Sequence, residues 1–256
     1  MKNKPQINSS YAVKFDYRYR HKQRFRGGGR GAYTISIELN GRETDFGILL
    51  ADRLTRTGID IDSPSGIKVL CWNGGDGEDC DILIRPVHSP EFKNYAKAEI
   101  VLHDLCIPLV ESSWGPSDIW DILESLGGGT DLTGGVPRHW VNVRDVVDAI
   151  ALLLESPLYG RLDVSGRRCW SNEALFTELS FLHRRTMSAM DKSFTFDDLS
   201  VVEVRTEPDE SVERPNLSPL HDALSANCGE GWRPIVPFRV TLMEMLAAWM
   251  EPSVME

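Results

Sequence analysis

The segment Gly41-Arg-Glu-Thr-Asp-Phe-Gly47 has the spacing of a G-x-x-G-x-x-G turn, with Thr44 in the middle slot. Between a strand and a helix such a turn has a definite chemistry. Small residues let the backbone approach a pyrophosphate, and the unpaired N–H groups at the start of the following helix bind it. Gly41 and Gly47 stand where the tight turn and the close helix–strand packing require glycine. Thr44 adds a side chain where a phosphate would come nearest, and Glu43 and Asp45 add negative charge. Asp60 and Asp62 lie about twenty residues beyond the first glycine, where a ribose-binding carboxylate belongs. An ordinary strand-turn-helix whose glycines serve packing has the same sequence, and both readings stand.

Further along, Tyr95, Glu99 and His103 recur every fourth residue, with Asp104 adjacent. On a helix they share one face, which suits either acid–base work or a solvated polar stripe. Arg214 is a candidate for bidentate contact with a diphosphate, or for an ion pair with nearby acids. His88-Ser89 reads as a loop pair, and Gly127-Gly-Gly129 and Gly134-Gly135 as loops that resemble phosphate nests in composition only. The five cysteines, Cys71, Cys80, Cys106, Cys169 and Cys228, are scattered and form no Cys-x-x-Cys pair. We expect reduced thiols, no zinc site or other metal, and a cytoplasmic protein.

The elements that must position these groups follow from periodicity. Tyr33 to Leu39 reads as a strand. A helix with Phe46, Leu49, Leu50 and Leu54 on one side follows it and stops at Gly58. Short strands are expected at Ile59–Ile61, Ile67–Trp72 and Ile82–Ile84. Trp140–Val143 is another, followed by a helix capped by Asp145 and ended by Gly160. Leu162–Val164 is a strand, Ser171 caps a helix that aligns Leu175, Leu179 and Leu182, and Thr241 to Met250 is a terminal amphipathic helix. This alternation predicts an α/β fold, a Rossmann-like parallel sheet with helices on its faces.

Charge divides the chain. The net charge is −10 over 256 residues. Residues 1–31 carry nine basic side chains against the single acid Asp16, a balance of +8, which leaves −18 for the rest. A basic aromatic arm (1–31) therefore precedes an acidic body (32–250). Val13, Phe15, Tyr17 and Tyr19 alternate with Lys14, Asp16, Arg18 and Arg20, as in a strand that docks on a sheet or on a partner; the same residues suit contact with single-stranded nucleic acid, the less favoured reading. No apolar run is long enough to cross a membrane, and the opening MKNKPQINSSYAVKF lacks the apolar centre of a secretory signal.

The second half carries a family resemblance. His139-Trp-Val-Asn-Val-Arg-Asp-Val-Val-Asp-Ala-Ile150, Gly160-Arg-Leu-Asp-Val-Ser-Gly166 and Ser171-Asn-Glu-Ala-Leu175 resemble a succession of motifs in extended short-chain dehydrogenases/reductases. Glu213-Arg-Pro-Asn-Leu-Ser-Pro-Leu220 and Gly231-Trp-Arg-Pro-Ile-Val-Pro-Phe238 resemble the ending of nucleotide-sugar epimerases, dehydratases and dTDP-4-dehydrorhamnose reductase-like proteins. Ser112-Ser-Trp-Gly-Pro116 is similar to the loop after the family's sixth strand, and Asn94-Tyr-Ala-Lys-Ala-Glu99 to the start of its catalytic helix. The resemblance implies a substrate lobe formed mainly by 165–250, NAD or NADP at Gly41, Thr44, Gly47 and Asp60 or Asp62, a nucleotide-linked sugar held by Arg214, and Tyr95 as proton donor or acceptor.

Two departures qualify what it implies. The family pairs tyrosine with lysine one helical turn on, so that the ammonium lowers the phenol pKa; here the fourth residue after Tyr95 is Glu99, which acts in the opposite direction. Only Arg85 to Asn94 separate the Ile82–Ile84 strand from Tyr95, with Ser89 six residues before it, too little for another helix and strand. Two functions are therefore expected: an NAD(P)-dependent nucleotide-sugar epimerase, dehydratase or reductase, or a catalytically inactive scaffold that assembles through its arm with a protein partner or as a homo-oligomer.

Overall fold

The computed structural model describes residues 35–109, 112–128, 135–196 and 212–251, all within the unit Thr34–Glu256. The arm strand expected in residues 11–20 and the glycines at 129 and 134 lie outside the described residues.

Strand β1 (Ile37–Asn40) buries Ile37 and Leu39 and leaves Glu38 and Asn40 half-buried on its other face. Gly41 turns the chain with φ +75°. Helix α1 (Asp45–Thr57) then buries Phe46, Leu50 and Leu54, which recur every fourth residue. Thr44 caps it by accepting the Gly47 N–H, and left-handed Gly58 closes it. Residues 59–62 return beside β1, with the Ile37 N–H donating to Asp60 O at 2.7 Å and the Leu39 N–H to Ile61 O at 3.3 Å.

The chain next crosses to the other side of β1 and forms β2 (Ile67–Cys71), β3 (Cys80–Pro86) and β4 (Ala96–Leu102). After β5 (Leu105–Cys106), α2 (Asp118–Gly128), β6 (Val141–Asn142) and α3 (Val143–Leu153) comes β7 (Gly160–Val164), then α4 (Asn172–Met190), α5 (Ser218–Cys228) and α6 (Phe238–Met250). The main sheet is parallel throughout, in the order β1-β2-β3-β4-β7, with β5 and β6 pairing separately. This is the expected Rossmann-like α/β architecture.

Its middle departs from expectation. Residues 94–99 do not start a helix: residues 94 and 95 lead into β4, which begins at Ala96, with Ala98 and Ile100 buried and Lys97 and Glu99 on the opposite face. Parallel neighbours usually need a helical crossover. Here only residues 72–79 join β2 to β3 and residues 87–95 join β3 to β4. A loop of that length reaches about 30 Å when extended, enough to return along a strand of about 23 Å. The short stretch before Tyr95 is therefore a direct strand-to-strand return.

One face of the sheet packs with α1, α3 and α5 into the main core, around Val69, Ile84, Ile100 and Ile150. The opposite face carries a small cluster, Leu70, Trp72, Cys80 and Leu83 with Phe92 and Ala96, to which no helix contributes. A third cluster joins α2, α4 and α6. Ser171 caps α4 as expected, accepting the Ala174 N–H at 3.2 Å. Asp145 does not cap α3; Asn142 does, accepting the Arg144 N–H at 2.8 Å. Gly160 opens β7 and does not end α3, whose C-cap is Leu154. Among the described residues, no helix is long and apolar enough to cross a membrane, and no cluster of metal-ligating side chains occurs.

Candidate functional site

In an open parallel sheet, ligands enter at the carboxyl ends of the strands where the connections diverge. Here that point lies between β1 and β2, since the chain runs from β1 to 59–62 on one side and then to β2 on the other. The Gly41–Gly47 turn sits there. A Cβ on Gly41 would stand 2.0 Å from Cys71 O, and one on Gly47 would stand 2.0 Å from Gly41 O. Both glycines are thus required by the protein's own backbone. The Thr44 hydroxyl donates to Gly41 O at 2.8 Å and accepts from the Gly47 N–H at 3.0 Å. That leaves the N–H groups of Asp45 and Phe46, the first two of α1, as the donors a phosphate would meet.

Arg42 forms an ion pair with Asp62, so the turn and this predicted ribose carboxylate do come together. Asp60 faces its own loop, accepting the Asp62 N–H at 3.2 Å. The backbone thus fits a dinucleotide pyrophosphate. The local charge is less suited, because Glu43 and Asp45 flank the donors and Arg42 is engaged by Asp62. Phe46 stacks on Trp114 at 4.9 Å, and Asn73 donates to Ser113 Oγ at 2.6 Å, fixing the 112–116 loop to the same end of the sheet.

Tyr95 is placed elsewhere. It stands just before β4 and is 66% exposed. Through the register, Asn40 is level with Leu70, Leu83 and Glu99. Tyr95 therefore lies three strands across and four to five residues back from Gly41, roughly 20 Å away at standard strand spacings. Glu99 pairs with Arg85 at 2.5 Å, and Lys97 lies over the Tyr159 ring at 4.6 Å. His103 Nε2 meets Asp163 at 2.8 Å, and Asp163 also accepts from Arg161 Nη2 at 2.8 Å. Burial alone would raise the Asp163 pKa; the hydrogen bonds and charges of Arg161 and His103 outweigh it and hold the group below its ordinary value. The residues read as one helical face are thus divided between an exposed tyrosine and an ion-paired ladder.

Arg214 occupies a second concave region. A cleft of about 490 Å³ is lined by Arg167, Arg214, Asn216, Ser218, His221 and Trp232, among others. Arg167 follows β7, so this cleft also opens near the carboxyl end of the sheet. Helix α5 presents its first turn there, where Asn216 Oδ1 accepts the Ser218 N–H at 3.1 Å and Pro219 has no N–H, so the helix end adds a partial positive charge to the two guanidinium groups without a row of free donors. Sequence reasoning found Arg214 but missed Arg167 and His221; Gly-Arg-Arg after β7 was the available signal.

Asp104, just past β4, adopts φ +47° and receives the His139 N–H at 2.8 Å and Arg138 at 3.3 Å. His139 is 5% exposed. Burial pushes its imidazole pKa down, Asp104 opposes that, and the charges of Arg214 and His103 add to the lowering.

No protein-family model matches the sequence, and neither does any curated protein. Solved structures do. The Pseudomonas aeruginosa protein RMD, complexed with NADPH, aligns with a TM-score of 0.54 at 13% identity, covering 86% of this chain and 99% of that one. UDP-glucose 4-epimerase of Thermus thermophilus, complexed with NAD, gives 0.51 at 12% identity over 84% of this chain and 99% of that one. The Bordetella bronchiseptica enzyme WbmH, complexed with NAD+, gives 0.51 at 11% identity over 85% and 99%. At these identities the likeness establishes a shared fold.

Proposed function

We propose that this chain is a nucleotide-binding protein of extended short-chain dehydrogenase architecture that does not turn over through a tyrosine–lysine pair. Its cleft beside Arg167 and Arg214 takes the diphosphate of a nucleotide-linked sugar, and its Gly41–Gly47 turn takes NAD or NADP. The single observation that carries this reading is the cleft: Arg167, Arg214 and His221 converge on one concave surface near the carboxyl end of the sheet. Arginine forks suit phosphate oxygens, and the positive end of the α5 dipole favours the same anion. The NAD- and NADPH-bound structures that share the fold support a nicotinamide dinucleotide at the turn.

Tyr95 is set aside as a proton carrier by its place just before β4. A proton donor must come within hydrogen-bond reach of the reacting atom. Tyr95 sits about 20 Å from the turn by strand geometry, and Lys97 engages Tyr159. When bound, the dinucleotide would supply hydride chemistry; the chain's own residues bind and orient. Calorimetric titration with UDP tests the cleft: saturable heat with the wild type and its loss in Arg214→Ala support the reading. NAD-linked turnover of a nucleotide sugar that disappears in Tyr95→Phe would overturn it.

A further inference from the structure

Asp145 is buried in the first turn of α3, where the helix cap is already supplied by Asn142. Its carboxylate reaches a segment far along the chain. Oδ1 accepts the Ile235 N–H at 2.9 Å, and the Val236 N–H lies 3.3 Å from Oδ1 and 3.2 Å from Oδ2. These residues stand between Pro234 and Pro237, which have no N–H, so the carboxylate takes both donors that this stretch offers.

The same strap, residues 231–237, contributes Trp232 to the lining of the Arg167–Arg214 cleft. Trp232 lines the cleft and donates its indole N–H to Ser165 O at 2.8 Å, just beyond β7. Gly231 lies under His221, another lining residue; a Cβ there would stand 1.9 Å from the ring. At its far end the strap enters α6, which is tied to the start of α3 by Asn142 to Thr241 at 3.0 Å and by Arg144 to Glu244 at 2.6 Å.

We infer that Asp145 is a positioning residue for the cleft: by holding the Ile235 and Val236 N–H groups it sets the strap so that Trp232, and His221 seated over Gly231, shape the wall against which a nucleotide diphosphate sits. The inference rests on the reading of the cleft as a nucleotide site. A carboxylate suits this role because it offers acceptors alone, whereas the carboxamide of asparagine offers one acceptor and an NH₂ that faces the strap donors. Burial raises the Asp145 pKa, partly offset by these two hydrogen bonds and by Arg144, while Asp148 adds to the rise. A carboxylate is thus held where burial disfavours its charge.

The test is hydrogen exchange by NMR on the wild type and Asp145→Asn, read at the Ile235 and Val236 amides and the Trp232 indole N–H, with UDP titrated into both proteins. The expected result is exchange faster by about tenfold or more at these three sites, with the Leu50 and Leu54 amides of α1 unchanged. UDP affinity falls by about tenfold, because binding must then order a wall that Asp145 otherwise holds in place. Unchanged exchange at the three sites overturns the inference, and so does equal UDP affinity in the two proteins. If the wild type takes up no UDP, the nucleotide reading fails, while exchange at Trp232 still decides whether Asp145 sets the wall. If Asp145→Asn does not fold, Asp145→Glu keeps the charge but displaces the oxygens and must show the same loss of Trp232 protection.

Discussion

Gly47→Ala separates two accounts of the glycine-rich turn, because the residue lies inside α1 and is not in a left-handed conformation. Intrinsic propensity alone would make alanine stabilise the helix by about 1 kcal/mol. The added Cβ, however, would stand 2.0 Å from Gly41 O and 2.9 Å from Thr44 Oγ1. The first contact lies well inside carbon–oxygen contact distance and involves backbone; overpacking of this kind costs about 1–3 kcal/mol. The second displaces the hydroxyl that caps α1, worth about 1 kcal/mol. The net cost is about 2 kcal/mol, or a Tm fall of roughly 4–8 °C for a unit of this size. Gly58→Ala is the control: no atom lies within 4 Å of its Cβ, so only the φ of +82° counts. That costs about 1 kcal/mol, or roughly 2–4 °C. The assay is thermal unfolding by circular dichroism without added ligand. If Gly47→Ala melts at or above the wild-type temperature, the backbone does not require glycine there and the packing account is refuted.

Thr44→Val removes the cap and should lower stability by about 1 kcal/mol in denaturant titration. His139 gives a pH dependence. Its folded-state pKa is lowered by burial, so the unfolded chain binds more protons below the ordinary histidine value and stability must fall as pH drops through that range. His139→Gln should flatten this part of a melting-temperature profile; an unchanged slope would assign it to another group. Arg214→Ala should weaken UDP binding roughly tenfold or more, the worth of a charge-assisted hydrogen bond, and should leave Tm within about 2 °C because the side chain is exposed.

The first part of the fold was legible because local signals agree. Phe46, Leu50 and Leu54 share a helical face, Gly58 stops it, and Asp62 does return to the turn. The segment around Tyr95 misled because Ala-Lys-Ala-Glu consists of strong helix formers. Its alternation was present, with Ala98, Ile100 and Leu102 buried, but the parallel partner β3 decides the outcome and lies outside any local window. Helix α5 buries only Leu220 and Leu224 and strand β5 has two residues, so neither carries a clear period, and Asp145 resembles a cap because its partners are ninety residues away. The cleft was half legible: Arg214 was found in its motif, whereas Arg167 joins it only through the packing of α5 against β7.

The most direct test of the central claim is a fluorescence titration of NADH and then NADPH in the presence of UDP-glucose, with nicotinamide absorbance followed over the next hours. The account predicts a saturable change with at least one dinucleotide and no consumption of it. It is contradicted by the absence of saturation at millimolar ligand, or by steady consumption that Tyr95→Phe abolishes.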